Sequence, residues 1–278
     1  MSKISLKYFD ETKIRERLSK IKHKVAVLSG KGGVGKSMVS LMLSLSLATR
    51  EHRGLIGLLD ADITGPSIPK MLNIRNEKPI VSGETIFPIE SELGIKVMSI
   101  DFFLKEEGTP VIWRGPLKSK AITQFLSQVE WGELDFLIID LPPGTGDEAL
   151  TVAQTMQGNI DGAIIVTIPS QVSKFVVRKA ISFARELDIP VIGVIENMSG
   201  ITCPKCGTFI ETFPGKAGEE IAEELNINFL GKVPIDPKLS KILDEGVSSF
   251  NKDFESSNTI RNLMEISNKV KELVNKSP

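Results

Sequence analysis

The sequence predicts a doubly wound α/β fold, in which a mostly parallel sheet carries helices on both faces. Apolar runs alternate with helical patterns along most of the 278 residues, and this alternation is typical of parallel strands joined by right-handed crossover helices. Several of the runs are apolar at every position, as expected for strands that are covered on both faces. A glycine-rich loop at residues 30–37, between the first strand and the first long helix, indicates a phosphate-binding loop.

These patterns place each element in turn. The expected strands are residues 24–28, 55–59, 95–100, 136–139, 163–168, 191–195 and 229–233. The expected helices are residues 36–49, 117–129, 147–156, 173–187, 216–225, 237–245 and 259–274. Residues 1–23 are mostly polar with a thin apolar stripe at Ile14, Leu18 and Ile21. We expect a peripheral helix there, followed by one P-loop domain over residues 24–278.

Composition narrows the possible function classes. The chain is 41% hydrophobic and 25% charged, with a net charge of −1, which is ordinary for a globular protein. A nucleic-acid-binding surface would need a clustered basic excess, and no apolar run approaches the roughly 20 residues of a membrane span. We therefore expect neither nucleic acid nor a membrane as a partner. The two cysteines exclude a disulfide framework and favour a reducing, cytoplasmic compartment.

The glycine-rich loop predicts a nucleotide site. Its glycines let the backbone turn tightly and approach an anion, and its N–H groups and the positive end of the next helix point at phosphates. Lys36 is placed to reach the β- and γ-phosphates, and the Ser37 hydroxyl to coordinate Mg²⁺. The alternative is a glycine-rich turn with two solvated lysines. The expected nucleotide-binding residues are Gly30, Lys31, Gly32, Gly33, Val34, Gly35, Lys36 and Ser37.

Three acidic residues follow strands whose carboxyl ends should meet this loop. Asp60 and Asp62 follow the second strand and Asp140 ends the fourth. Carboxylates in such places hold Mg²⁺ through its water shell or orient an attacking water, and helix capping is the alternative. The run at residues 142–146 combines prolines with two glycines, so it is suited to two discrete shapes, as a γ-phosphate switch requires.

The base is expected to be adenine. Asn197 follows the strand at residues 191–195, and its amide offers the donor and the acceptor that the adenine edge requires. The Asn-Lys-x-Asp motif that recognises guanine is absent. Residues 251–254 begin like it but read Asn-Lys-Asp-Phe, with phenylalanine in place of the final aspartate.

Cys203 and Cys206 form a Cys-x-x-Cys pair in a loop near residues 199–214. A tetrahedral metal or cluster site needs about four ligands, and this chain supplies two thiols. A closed thiolate site therefore requires two chains, and a twofold homodimer brings the same loop from each subunit to the axis. A bridging zinc, a redox dithiol and a shared iron–sulfur cluster all remain open on spacing alone.

Together these motifs resemble the Mrp/ApbC family, part of the deviant P-loop group that includes MinD, the ParA-type ATPases and the nitrogenase iron protein. The matching strings are GKGGVGKS at 30–37, DADITGPSIP at 60–69, WRGP at 113–116, DLPPGTGD at 140–147, ENMS at 196–199 and CPKC at 203–206. The resemblance implies an ATPase that carries a 4Fe–4S cluster shared across a homodimer and delivers it to apo iron–sulfur proteins.

The resemblance also implies roles for single residues. Lys31 would cross the dimer interface to the partner's ATP, although spacing alone also allows a surface lysine. Asp62 would place the nucleophilic water, so that Lys31, Lys36 and Asp62 form the catalytic set. Pro234 would belong to a second base-contacting loop. The main rival is a MinD- or ParA-like positioning ATPase, but the last helix lacks the basic, aromatic face of a membrane anchor.

Overall fold

The computed structural model describes residues 12–48, 54–103, 115–203, 205–247 and 257–276. Its strands are β1 (Ile21–Ser29), β2 (Ile56–Asp60), β3 (Ile80–Ser82), β4 (Thr85–Phe87), β5 (Ile89–Glu90), β6 (Ile95–Ser99), β7 (Leu134–Asp140), β8 (Gly162–Thr167), β9 (Val191–Thr202), β10 (Phe209–Ile210) and β11 (Phe229–Ile235). Its helices are α1 (residues 12–18), α2 (Lys36–Leu47), α3 (Ile68–Met71), α4 (Gly115–Gln128), α5 (Asp147–Thr155), α6 (Gln171–Glu186), α7 (Ala217–Glu224), α8 (Pro237–Glu245) and α9 (Asn258–Lys276).

One sheet of nine strands runs through the described part of the chain. Its order is β10-β9-β8-β1-β7-β2-β6-β5, and β11 also pairs with β9. All neighbours pair in parallel except the short edge strands β5 and β10, which are antiparallel. The predicted mostly parallel α/β fold is therefore confirmed.

The winding of the sheet places helices on both of its faces. From β1, the chain passes through α2 towards β2 and β6 on one side, and later through α6 from β8 to β9 on the other. Right-handed crossovers in opposite directions along a sheet lie on opposite faces. α9 packs on α2 and β11, whereas α6 packs on β1, β8 and α7. This double winding explains why β2 and β8 are buried at every position.

All the expected strands and helices are present, and most of their ends shift by three residues or fewer, but the strand expected at 191–195 continues as β9 to Thr202. β1 begins at Ile21, three residues before the expected start, because Ile21 pairs with Leu134 and is buried. α1 occupies part of the predicted apolar stripe, and its Ile14 and Leu18 lie in the core. Residue 49, the expected end of α2, lies outside the described residues, as do Trp113, Arg114 and residues 251–254.

The sequence patterns did not predict the shortest elements. The β3–β4 hairpin buries Ile86, but β3 is exposed at every position, including Ile80 and Val81, so no apolar alternation marks the pair. β5 and β10 are two residues long and α3 is four, too short for any period. No described helix has the length and hydropathy needed to span a bilayer.

Because β1, β2, β7, β8, β9 and β11 run in the same direction, their carboxyl ends share one edge of the sheet, which we call the carboxyl edge. Ligands of doubly wound sheets bind at this edge. It carries the loops at residues 30–35, 61–67 and 141–146, the turn of the cysteine pair and the start of α6.

Candidate functional site

The loop between β1 and α2 has a backbone that requires glycine. Gly33 and Gly35 have φ values of 78° and 79°, a left-handed conformation that side chains disfavour. A Cβ at Gly35 would also collide with the Asn197 amide, and one at Gly30 would collide with the Val176 carbonyl. The loop is therefore packed between β9 and α6 on one side and open to solvent at Gly33 on the other.

Asp140 is fully buried at the carboxyl end of β7 and contacts three side chains of α2. Its Oδ1 lies 2.8 Å from Lys36 Nζ and accepts a hydrogen bond of 2.6 Å from Ser40 Oγ. Its Oδ2 accepts a hydrogen bond of 2.6 Å from Ser37 Oγ. Lys36 and Ser37, the two residues expected to meet phosphate and Mg²⁺, thus both rest on this carboxylate.

Asp60 lies beside Asp140 on the neighbouring strand β2. Its Oδ2 accepts hydrogen bonds from the backbone of Ser67 and Ile68 and from Ser99 Oγ, at 3.2–3.3 Å. Burial, followed by the charge of Asp140, raises the pKa of Asp60 to about 8, although Lys36 acts in the opposite direction. A cation bound beside the two carboxyl groups would therefore favour the ionised form of Asp60.

Asp62 is held in a turn by the residues that follow it. Its Oδ1 accepts hydrogen bonds from Thr64 N and Gly65 N at 3.1 Å and lies 3.2 Å from Thr64 Oγ1. Thr64 Oγ1 also lies 3.0 Å from Glu148 Oε2, at the start of α5. A threonine hydroxyl has a single proton, so it donates to one of the two carboxylates at a time. It links the Asp62 turn to the helix that follows the loop at 141–146.

A cleft of about 300 Å³ opens between these groups. The glycine-rich loop, the start of α2 and the Asp62 turn form its walls, and Pro143 closes one side. The residues that line it are Ser29, Gly32, Gly33, Val34, Gly35, Lys36, Ser37, Met38, Asp62, Ser67, Met71 and Pro143. A buried ammonium, a hydroxyl and backbone N–H groups at a helix start suit a phosphate chain.

Asn197 and Pro234 lie on neighbouring strands, since Asn197 in the middle of β9 is the register partner of Val233 in β11. The Asn197 side chain is buried, and its Nδ2 donates a hydrogen bond of 2.8 Å to the Val34 carbonyl. Its amide nitrogen is therefore engaged with the glycine-rich loop. Lys31, in contrast, is half-buried and has no ion pair or hydrogen bond with the described residues.

The cysteine pair lies in a tight turn beyond β9. Cys203 N donates to the Thr208 carbonyl and Gly207 N donates to the Cys203 carbonyl, both at 2.9 Å. Cys203 is half-buried and Cys206 exposed, and both are free thiols. Hydrogen bonding with Thr208, assisted by Cys203, lowers the pKa of Cys206 to about 7. No group of three or more potential metal-ligating side chains occurs in the described residues, so this loop contributes two thiols.

The segment that follows the cysteine turn is anchored to the middle of β9, next to Asn197. Thr212 Oγ1 donates a hydrogen bond of 2.8 Å to the Met198 carbonyl, and the Phe209 ring lies directly over Gly200. The residues that contact the glycine-rich loop and those that carry the thiols are therefore separated by a short stretch of one strand.

Exposed apolar side chains flank both parts of the site. Val172 and Phe175, at the start of α6, are 77% and 64% exposed, and Phe209 and Ile210, in β10, are 54% and 50% exposed. All four lie at the carboxyl edge of the sheet. Large exposed apolar side chains are a feature of protein–protein contacts.

The sequence patterns did not predict Ser40 or Glu148 as site residues. Ser40 lies three positions after Ser37 on α2, so both hydroxyls face β7. That spacing is visible in the sequence, but a buried serine in a helix is ordinarily explained by a bond to the preceding turn.

Comparisons with known proteins agree with this geometry. Residues 20–271 match the family model ParA, described as NUBPL iron-transfer P-loop NTPase. An iron-sulfur cluster carrier protein of Methanocaldococcus jannaschii is 50% identical over 254 residues, covering 91% of this chain and 87% of that protein. A cytosolic Fe-S cluster assembly factor NUBP2 homolog of Dictyostelium discoideum is 47% identical over 249 residues, covering 88% and 93%.

Solved structures share the fold. A nucleotide-binding protein from Archaeoglobus fulgidus, solved in complex with ADP, has 41% identity and a TM-score of 0.75, covering 88% of this chain and 96% of that one. The cell division ATPase MinD of Pyrococcus furiosus has 18% identity and a TM-score of 0.60, covering 90% and 99%. At that identity the likeness to MinD concerns the fold alone.

Proposed function

The chain belongs to the family of NUBPL iron-transfer P-loop NTPases, and from this premise we propose that it is an ATP-hydrolysing carrier of iron–sulfur clusters. The observation that carries the proposal is the placement of the glycine-rich loop and the cysteine turn at one edge of the sheet, connected by β9. The M. jannaschii relative bears the name of such a carrier.

The nucleotide half of the site has donors for ATP and Mg²⁺. The Ser37 hydroxyl and the Asp140 carboxylate lie 2.6 Å apart, and both are the oxygen ligands that Mg²⁺ prefers. When bound, Mg²⁺ would offset the charge of the β- and γ-phosphates. Lys36 would leave Asp140 for the phosphates, and the backbone of Gly32–Gly35 would cradle them. Asn197 and Pro234 would bound the adenine.

Hydrolysis would depend on Asp62. Backbone N–H groups of Thr64 and Gly65 hold its carboxylate at the cleft, where it would orient the attacking water. The loops at 30–37, 60–67 and 142–146 contain no arginine, so the catalytic charge would come from Lys36 and from Lys31 of a partner subunit. We expect slow turnover, because an arginine finger adds about 10³-fold or more to such rates.

The cargo would be a 4Fe–4S cluster held by Cys203 and Cys206 of two subunits. One chain supplies two thiols, and a cluster wants about four, so a twofold dimer completes the set. The exposed Val172, Phe175 and Phe209 support a dimer face at this edge. A cluster held by few, exposed ligands is suited to transfer to apo iron–sulfur proteins. The D. discoideum relative is described as cytosolic, and we place this chain in the same compartment.

β9 would couple the nucleotide state of the glycine-rich loop to the position of the cysteine turn. Asn197 is bonded to the glycine-rich loop, and one residue later the Met198 carbonyl holds Thr212, in the segment that follows the cysteine turn. A change in the loop would therefore move the turn, and a coupling free energy of about 1–3 kcal/mol is the usual size for such effects.

A structural zinc bridging two subunits is the second candidate for the same thiols. The cysteine turn closed by the Gly207 N–H favours it, since Cys-x-x-Cys-Gly turns also hold zinc. Anaerobic reconstitution with iron and sulfide separates the two candidates. The carrier should give a brown dimer that passes its cluster to an apo-protein, and Cys203→Ala or Cys206→Ala should abolish both. Retention of zinc with no uptake of iron would contradict the carrier function.

A further inference from the structure

Ser40 is a buried hydroxyl at the nucleotide site to which the proposed mechanism assigns no role. It lies on α2, one helical turn after Lys36, with none of its surface exposed. Its Oγ is 2.6 Å from Asp140 Oδ1 and 3.1 Å from the Lys36 carbonyl. A serine hydroxyl has one proton to donate. The shorter distance and the charge of the acceptor both favour Asp140 as its partner.

The hydrogen bond from Ser40 is distinctive because the other side chains that contact Asp140 are also expected to bind the nucleotide and its metal. Lys36 and Ser37 also contact this carboxylate, but in the proposed function they turn to phosphate and to Mg²⁺. Of the described side chains that donate to Asp140, Ser40 is then the one that stays. A buried carboxylate that lost all of its donors would be strongly disfavoured, so Ser40 would keep one hydrogen bond to it and hold its orientation.

We propose that Ser40 is a positioning residue for Mg²⁺: its bond to Oδ1 would fix the Asp140 carboxylate and leave Oδ2, on the side of Ser37, available to the metal. This inference rests on the proposed nucleotide function. Ser40 forms no hydrogen bond with Oδ2. In the structure Oδ2 accepts a hydrogen bond from Ser37, the residue whose hydroxyl is expected to bind Mg²⁺. Groups that orient metal ligands in this way commonly contribute 10–100-fold, in order of magnitude, to metal affinity.

The same helix offers a matched control. Ser44 lies one turn further along α2 and is equally buried. Its Oγ donates a hydrogen bond of 2.9 Å to the Ser40 carbonyl, a bond to the preceding turn with no contribution to Asp140. Ser44→Ala therefore removes a buried hydroxyl from the same helix without changing the contacts of Asp140. It separates a general effect on the helix from an effect on the carboxylate.

The test measures ADP binding by isothermal titration calorimetry, first without Mg²⁺ and then at increasing Mg²⁺. Ser40→Ala should bind Mg²⁺-free ADP as the wild type does, but it should need roughly tenfold more Mg²⁺ to reach the tight-binding state. Ser44→Ala should match the wild type in both measurements. Ser40→Cys fills the space of the hydroxyl, but its thiol is a weak donor. It should show the same increased Mg²⁺ requirement as Ser40→Ala, which would exclude a cavity as the cause of the defect.

Two results would overturn the inference. One is an unchanged Mg²⁺ requirement in Ser40→Ala and Ser40→Cys. The other is an equal loss of Mg²⁺-free and Mg²⁺-dependent binding, which would indicate a damaged helix. A wild-type protein that binds no ADP under either condition would instead contradict the proposed function, so the two failures are distinguishable.

Discussion

Asp60 and Asp140 lie opposite each other at the carboxyl ends of β2 and β7, where they are register partners in a parallel pair. Both are buried, and Lys36 Nζ lies 2.8 Å from Asp140. Burial, and after it the like charge of Asp140, raises the pKa of Asp60. The pair therefore makes the nucleotide-free site responsive to pH and to added cations.

The stability of the nucleotide-free protein should depend on pH through Asp60. The pKa of Asp60 is about 8 in the folded protein against an ordinary value of 3.8, so the folded state keeps a proton that the unfolded state has lost. The resulting stabilisation is full at acidic pH and is lost as the pH rises towards 8, by at most about 1.4 kcal/mol per pH unit. Asp60→Asn should flatten this decline.

Urea unfolding without nucleotide or Mg²⁺, at a series of pH values from about 5 to 8, measures the effect. The free energy of unfolding of the wild type should fall relative to that of Asp60→Asn as the pH rises. Parallel curves for the two proteins would show that Asp60 does not titrate in this range.

The two lysines of the glycine-rich loop should behave differently. Lys36→Ala removes the buried ammonium beside Asp140, so ATP binding should be lost. Lys31→Ala removes a side chain without a bond to the described residues, so ATP binding should persist while hydrolysis is lost. Filter binding and phosphate release measure the two properties. The same phenotype in both variants would count against a nucleotide shared between subunits.

Thr64 should influence hydrolysis through Asp62. Asp62→Asn should lower the hydrolysis rate roughly 10²-fold or more, with little effect on ATP binding. Thr64→Val removes the hydroxyl that lies between Asp62 and Glu148, so we expect a several-fold loss of kcat. Thr64→Ser keeps the hydroxyl and should restore the rate. If the serine variant were as slow as the valine variant, the methyl group rather than the hydrogen bond would be responsible.

The fold was predictable because its signals are periodic and long. The buried strands β2, β7 and β8 are apolar at nearly every position, and the loop between β1 and α2 has glycine where its backbone demands it. The hairpin of β3 and β4 has no long apolar run, since it lies outside the main sheet with exposed apolar residues.

The site was predictable as a set of residues but not as a set of bonds. Strand ends and loops placed Lys36, Ser37 and Asp140 together, and the structure brings them into contact. The donation from Asn197 to the Val34 carbonyl depends on how β9 lies against the loop, and the bond from Ser40 depends on the rotation of α2. Neither is encoded in a local pattern.

Dimer formation should depend on the apolar start of α6. Phe175 is 64% exposed beside the cleft, so Phe175→Asp should prevent nucleotide-dependent dimerisation while leaving the monomer folded. Met264→Asp places the same charge on a 50% exposed position of α9 and should have no effect. Sedimentation velocity with a slowly hydrolysed ATP analogue measures the dimer. An unimpaired Phe175→Asp dimer would place the interface elsewhere.

Metal and sulfide analysis of protein purified without air is the decisive measurement for a cluster shared between two subunits. A 4Fe–4S cluster shared by two subunits predicts roughly two iron and two sulfide per chain, found only in the dimer and lost in Cys206→Ala. Stoichiometric zinc without sulfide, or a full cluster on a monomer, would contradict the account.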